Sequence, residues 1–129
     1  MPEPPENPKP NSGLRRLVKA VGYSYAGFVA ALKGEAAFRQ ELLAAVVLFP
    51  FSFWLADSAF EWGVLVGSLI CVLVVELLNS AVEALTDRVG TERHPLSGRA
   101  KDMGSAAVTL SLLVVLLVWG GALYDKLAG

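Results

Sequence analysis

The sequence predicts an all-α integral membrane protein in which one amphipathic helix at the membrane surface precedes three transmembrane helices. More than half of the 129 residues, 54%, are hydrophobic, and the mean hydropathy of +0.52 lies above the average for soluble proteins. Three apolar runs approach the roughly 20 residues that a helix needs to cross a bilayer. The formal net charge of −1 indicates no particular partner, and no bound nucleic acid is expected. The single cysteine, Cys71, excludes an intrachain disulfide.

Residues 1–12 are rich in proline and polar side chains and are predicted to form a disordered tail. The rest of the chain, 13–129, is predicted to form one integral-membrane domain. No cleaved signal peptide is expected, because no short apolar segment follows a charged stretch at the N-terminus. Asn11 or Ser12 is predicted to cap the first helix, which begins near Leu14.

The first predicted helix has the pattern of a helix that lies in the membrane interface. Its apolar residues recur at helical spacing, whereas Arg15, Arg16 and Lys19 lie on its other faces. Gly34 is predicted to end this helix before the first span.

Three membrane spans are predicted after this helix, at residues 36–56, 62–79 and 105–124. The first span contains Pro50, which removes one backbone donor and is predicted to bend the helix. The second span is predicted to continue to Val89 as a helix with a polar face. Tryptophan and tyrosine residues lie near the ends of the spans, as they do at membrane–water interfaces.

The basic residues predict the orientation of the chain in the membrane. The connection at 57–61 carries no Lys or Arg, whereas the N-terminal region and the segment 88–101 carry all of them except Lys126. By the positive-inside rule, the N-terminus and the second connection face the cytoplasm, and the C-terminus faces the opposite side.

Glu76 is the most informative residue, because it lies in an otherwise apolar run of the second span. An ionisable group at membrane depth costs about 3 kcal/mol or more, so such residues usually face a bundle interior and serve function. On an ideal helix, Glu76, Asn79, Glu83 and Asp87 fall within a sector of about 80°. This stripe is typical of a metal site or a proton-transfer site.

Charged residues near the ends of the other spans are expected to meet this stripe on the cytoplasmic side. They are Glu35, Arg39, Glu41, Arg99, Lys101 and Asp102. Oxygen ligands without His or Cys clusters suit Mg²⁺, which one or two carboxylates hold together with phosphate oxygens. Glu83 lies about 10 Å along the helix axis from Glu76, a separation that fits phosphoryl transfer from a nucleotide to a lipid.

The residues alone leave structural roles open for several of these side chains. A carboxylate such as Glu83 is also typical of a solvated helix end. Lys101 and Asp102 are typical juxtamembrane charges. Asn79 can stabilise helix contacts, and His94 is more often a loop residue than a ligand.

Three long motifs carry a family resemblance. They are GYSYAGFVAALKGEAAFRQE at 22–41, VELLNSAVEALTDRVG at 75–90 and SGRAKDMGSAAV at 97–108. Together they resemble the prokaryotic diacylglycerol kinases, a family of small membrane kinases. The resemblance implies a homotrimer in the cell inner membrane, with active sites between neighbouring subunits on the cytoplasmic side. It also implies transfer of the ATP γ-phosphate to diacylglycerol, which gives phosphatidic acid, with Mg²⁺ as cofactor.

The resemblance further implies a role for each matching residue. Glu76 matches the general base that takes the proton of the lipid hydroxyl, and Glu35 and Glu83 match the carboxylates that hold the metal on ATP. Asn79 matches the amide beside this base, and Asp87 supports the site. Positions that match ATP contacts are Arg16, Tyr23, Glu35, Glu83, Glu92, Arg93, His94, Lys101 and Asp102. Positions that match the lipid groove are Arg16, Ala37, Phe38, Arg39, Gln40, Glu41, Glu76, Ser105 and Trp119.

Other functions compete with this interpretation. An undecaprenol kinase of the same architecture would differ only in the acceptor alcohol, and the residues that select the acceptor are apolar and uninformative. A small transporter or proton-relay protein would use buried carboxylates to carry ions. A purely structural membrane protein would leave Glu76 replaceable.

Overall fold

A computed structural model describes residues 2–4 and 12–129 of the chain. This described part contains four α-helices and no β-strand: α1 (Gly13–Gly34), α2 (Ala36–Leu55), α3 (Ala59–Val89) and α4 (Pro95–Ala128). The all-α prediction is therefore confirmed for this part of the chain. Most of the predicted disordered tail, residues 1 and 5–11, lies outside the described residues.

Helix α1 begins and ends where the sequence predicts. The Ser12 hydroxyl accepts a hydrogen bond from the Arg15 backbone N–H at 3.4 Å, so Ser12 is the N-cap. The helix ends at Gly34, and Glu35, in an extended conformation, joins it to α2. Only Ala31 of this helix is buried, so nearly all of its surface is open to solvent or lipid.

Helices α2, α3 and α4 are each long and apolar enough to cross a membrane, as predicted. Helix α3 makes its larger interface with α4 and its smaller one with α2. Because short connections join them, consecutive helices run antiparallel. The N-terminal turns of α2 and α4 therefore lie beside the C-terminal half of α3.

Helix α4 begins at Pro95, ten residues before the predicted third span at 105, and includes most of the polar segment. Pro95 occupies the first helical position, where its missing N–H is not needed. The His94 Nδ1 accepts a hydrogen bond from the Leu96 N–H at 3.1 Å and so caps the helix. The apolar run therefore marks only part of this helix, which extends beyond it through several polar turns.

Pro50 lies inside α2, and the helix continues through it to Leu55. The Ser52 hydroxyl is buried within this turn and donates to the Phe49 carbonyl oxygen at 2.5 Å. The proline does not end the helix, and the bend predicted there stays a prediction.

The buried core of the single chain is small, because most of its large apolar side chains face outward. Leu55, Leu65 and Ala122 form a cluster that joins α2, α3 and α4 at one end of the bundle. An outward apolar surface of this extent is what a helical bundle presents to lipid or to neighbouring subunits.

Polar contacts between helices stabilise this end of the bundle, which we call the aromatic end and define by Trp54, Asp57, Ser68, Trp119 and Lys126. Trp119 donates from Nε1 to a backbone carbonyl of α3 and to the Ser68 hydroxyl, both at 3.1 Å. Lys126 Nζ lies 3.8 Å from an Asp57 carboxylate oxygen and 5.1 Å from the centre of the Trp54 ring. Each of these charged or indole groups therefore has a polar or aromatic partner.

Candidate active site

The opposite end of the bundle, which we call the acidic end, contains Glu35, Glu41, Glu76 and Glu83. Glu35 lies at the junction of α1 and α2, Glu41 lies on α2, and the other two lie on α3. Glu76 is 4% exposed and is the only charged residue that is buried in the described part of the chain. The apolar run around Glu76 predicted this position in the interior of the bundle.

Glu76 is the point on which the other three carboxyl groups converge. The side chain of Glu41 lies within hydrogen-bonding reach of it, and Glu35 and Glu83 are near enough for their charges to act on it. Glu41 Oε2 is itself buried and has no hydrogen-bond partner. Two helices and a junction between helices thus place four acids around one buried position.

None of these four carboxyl groups forms an ion pair with a basic residue of the described chain, where the pairs are Lys101–Asp87 and Lys126–Asp57. No group of three His, Cys, Asp or Glu side chains in residues 2–4 and 12–129 is arranged to hold a metal by itself. Mg²⁺, however, is commonly held by one or two carboxylates plus substrate phosphates. Because neither Glu35 nor Glu83 forms an ion pair within residues 2–4 and 12–129, both carboxylates are available to a magnesium ion that arrives with a nucleotide.

Asn79 lies between Glu76 and helix α4. Its carboxamide is within hydrogen-bonding reach of the Glu76 carboxylate. Its Oδ1 is buried without a hydrogen-bond partner and faces the backbone of Gly104. The structure therefore brings Asn79 to the predicted base, as the helical sector of these residues predicted.

Lys101 places a positive charge beside the acidic stripe. Its Nζ lies 2.8 Å from Asp87 Oδ1, and Glu83 is near enough for its charge to act on this ammonium group. Both partners of the ion pair are exposed, so the pair contributes little to stability. The ammonium group remains accessible to an anionic ligand.

A pocket of about 520 Å³ opens next to this ion pair. Its walls are the connection between α3 and α4 and the first turns of α4, including Asp87, Glu92, Arg93, His94 and Lys101. Small-molecule sites usually measure about 300–1,000 Å³. The pocket therefore has room for part of a nucleotide, and it contains four of the residues predicted to contact ATP.

Other predicted ATP positions lie outside this pocket. Arg16 and Tyr23 are exposed on α1, and Asp102 is exposed on α4 next to Lys101. Arg39, predicted for the lipid groove, donates to the carbonyl oxygens of Leu32 at 2.9 Å and Lys33 at 3.2 Å. Its guanidinium therefore caps the end of α1, which is a structural role that the sequence pattern did not reveal.

The remaining positions predicted for the lipid groove do not share one surface. Phe38 is 1% exposed, so its side chain packs within the chain. Trp119 follows Gly104 by fifteen residues, about 22 Å of helix, and contacts α3 at the aromatic end. Ala37, Gln40 and Ser105 are exposed near the acidic end.

A crevice of about 450 Å³ between α1 and α3 was not predicted from the sequence. Glu35 and Ser80 line it together with small residues such as Gly27, Ala31 and Ala84. The Ser80 hydroxyl is buried without a hydrogen-bond partner. The recurrence of glycine and alanine at helical spacing on both helices was the signal that could have revealed it.

The fold and the site together define a multi-pass helical membrane protein with a carboxylate-rich site at one end of its bundle. The family model of prokaryotic diacylglycerol kinase matches residues 22–123. The chain belongs to this family, which confirms the membership predicted from the three motifs.

Relatives named diacylglycerol kinase match most of the chain. The protein of Pseudomonas aeruginosa is 53% identical over 111 residues, which are 86% of this chain and 90% of that protein. The protein of Haemophilus influenzae is 48% identical over 113 residues, 88% of this chain and 96% of that protein. The protein of Escherichia coli strain K12 is 48% identical over 108 residues, 84% of this chain and 88% of that protein.

Proposed function

We propose that this chain is a diacylglycerol kinase, which transfers the γ-phosphate of ATP to the hydroxyl of diacylglycerol and so forms phosphatidic acid. The observation that carries the proposal is the buried Glu76 among carboxyl groups that form no ion pair with any basic residue of the described part of the chain. Such a group is costly in a membrane, and chemistry on a membrane alcohol accounts for its presence. The chain's similarity to proteins named diacylglycerol kinase supports this acceptor.

In this proposal, Glu76 is the general base. The lipid hydroxyl oxygen attacks the γ-phosphorus, the bond to the β–γ bridging oxygen breaks, and ADP leaves. The hydroxyl proton passes to Glu76, whose carboxylate the Asn79 amide orients by a hydrogen bond. Glu41 lies beside this carboxylate and supports it from α2.

The ATP phosphates are expected to lie between the acidic stripe and Lys101. Glu35 and Glu83 would hold Mg²⁺, which supplies charge neutralisation at the phosphate oxygens when it is bound. Lys101 offsets charge that develops on the transferred group, since phosphoryl transfer depends mainly on positioning and electrostatics. The connection at 90–94 forms the wall for the rest of the nucleotide.

We also propose a homotrimer in the cell inner membrane, with the acidic end and the N-terminus in the cytoplasm and α1 in the interface. The outward-facing apolar side chains supply surface for subunit contacts. The distribution of basic residues supports the orientation, and the exposure of α1 supports its interfacial position. The mass of the purified complex, corrected for detergent, tests the trimer. Labelling of Arg93→Cys in a Cys71→Ser background, in sealed vesicles, tests the orientation.

The reaction is tested by a mixed-micelle assay with radiolabelled ATP and a panel of lipid alcohols, with and without magnesium. We expect label in the product of diacylglycerol, little label in the product of undecaprenol, and no product without the metal. Preferential labelling of undecaprenol would assign the chain to the alternative acceptor. Ion flux in sealed vesicles without any lipid phosphorylation would instead favour a transporter.

A further inference from the structure

Gly104 is the one glycine of the described chain at which an added side chain would meet a side chain of another helix. A Cβ built there would overlap Oδ1 of Asn79 and would lie 3.2 Å from its Cγ and 3.8 Å from its Cβ. At most of the other glycines, including Gly121 on the same helix, a Cβ would meet open space. The bare backbone of α4 at Gly104 therefore makes room for one specific carboxamide.

The two ends of that carboxamide face different partners. Oδ1 is buried against Gly104 and has no hydrogen-bond partner. The group also lies within hydrogen-bonding reach of the Glu76 carboxylate, which can only accept when ionised. Nδ2 is the donating end of the carboxamide and is thus the end available to Glu76, and Gly104 bounds the group at Oδ1.

We propose that Gly104 is a positioning residue for the phosphoryl-transfer reaction, because its missing side chain allows Asn79 to hold the carboxylate of Glu76. A methyl group at position 104 would occupy the space of Oδ1 and turn the carboxamide, so that Nδ2 leaves Glu76. The inference rests on the proposed function for the role of Glu76 in the reaction.

A double-mutant cycle tests this route. Gly104→Ala should lower kcat by about tenfold while the KM for ATP changes by less than about twofold. A tenfold effect lies within the usual range of coupling between two residues in contact, here positions 104 and 79. Asn79→Ala removes the atoms that the methyl group would strike, and the Cβ that remains at 3.8 Å is an ordinary contact. Asn79→Ala combined with Gly104→Ala should therefore match Asn79→Ala alone within about twofold.

Gly121→Ala is the matched control, since it adds the same methyl group to the same helix where a Cβ meets nothing within 4 Å. It should retain the wild-type rate. If Gly104→Ala does not fold by itself, the double variant still provides the test, because the clash is absent from it.

A spectroscopic readout separates positioning from a general packing effect. In ¹⁵N-labelled protein, Glu76→Gln should shift the side-chain amide resonance of Asn79. The same change made in the Gly104→Ala background should leave that resonance almost unmoved. Equal shifts in both backgrounds would overturn the inference.

The kinetic outcomes also separate this inference from the proposed function. If Gly104→Ala reduces the rate as strongly without Asn79 as with it, while Glu76→Gln is inactive, the inference fails and the proposed function stands. If the wild-type protein phosphorylates no lipid alcohol, the proposed function fails, and the role of Gly104 in that reaction fails with it.

Discussion

The two ends of the helical bundle treat their charged groups in opposite ways. At the aromatic end, Lys126 lies between Asp57 and Trp54, and Trp119 donates both to a backbone carbonyl and to the Ser68 hydroxyl. At the acidic end, four carboxyl groups converge and none of them has a basic partner in the described residues. Paired polar groups hold helices together, whereas unpaired buried ones cost free energy.

The acidic end is therefore not arranged for stability. At the aromatic end, Asp57 lies beside Lys126, and the carboxylate of Glu61 accepts a hydrogen bond from a backbone N–H. The carboxylates of the acidic end are instead left available to a cation and to a hydroxyl group. Substitutions at the two ends should therefore affect different quantities, catalytic rate at one and stability at the other.

The largest effect is expected for Glu76→Gln. The amide keeps the shape of the side chain but cannot accept the hydroxyl proton, so kcat should fall by about 10²–10⁴-fold, the usual contribution of a general base. The measurement is the initial rate of diacylglycerol phosphorylation, with circular dichroism to verify folding. Glu61→Gln, which makes the same change on the same helix at the opposite end, is the control. A Glu76→Gln enzyme with near-wild-type rate would remove Glu76 from the mechanism.

Glu83→Gln should act mainly through the metal. Loss of a residue that only supports a metal ligand typically lowers metal affinity by at least roughly 10-fold. Loss of a carboxylate that binds the ion itself should therefore raise the magnesium concentration needed for half-maximal rate by at least this factor. Magnesium titrations at fixed ATP measure this, with Glu35→Gln expected to behave alike. An unchanged magnesium requirement in both variants would mean that these residues do not hold the ion.

Ser68→Ala should lower stability but not rate. It removes the hydroxyl that accepts from Trp119, so the free energy of unfolding should fall by about 1 kcal/mol. The measurement is an unfolding titration in mixed micelles, with the phosphorylation rate expressed per folded protein. A large loss of rate at unchanged stability would contradict the division between the two ends.

The smallest effect is expected for Lys126→Ala. The partner carboxylate of Asp57 is exposed, and surface ion pairs contribute about 0.2–1 kcal/mol. The Trp54 ring contacts the same ammonium group, so the two contributions overlap and their total stays below about 1 kcal/mol. The same unfolding titration should therefore show a shift near its detection limit, and high salt should reduce the difference further. A loss as large as that of Ser68→Ala would show that this contact is stronger than its exposure indicates.

The sequence predicted the helices well where a local signal was present. Ser12 and Gly34 mark the ends of α1, and the apolar runs locate the three spans. The predicted third span begins later than α4 because hydropathy reports contact with lipid, whereas the helix itself begins at Pro95, after its capping residue His94. His94 followed by Pro95 is a local signal for the start of a helix, but the charged residues after them interrupt the apolar pattern.

The sequence predicted only the part of the site that lies on a single helix. Glu76 and Asn79 share a face of α3, so their proximity follows from helical geometry. The interaction of Arg39 with the end of α1, the contact of Gly104 with Asn79 and the burial of Phe38 depend on how helices pack against one another. No spacing within a single segment encodes such contacts.

The most direct test of this account compares Glu76→Gln and Ser68→Ala, two buried polar positions on the same helix, in one assay. The quantity is the rate of label transfer from ATP to diacylglycerol per folded protein. We predict a loss of at least about 100-fold for Glu76→Gln and a change within about twofold for Ser68→Ala. Equal rates for the two variants would contradict the claim that the unpaired carboxylates serve phosphoryl transfer.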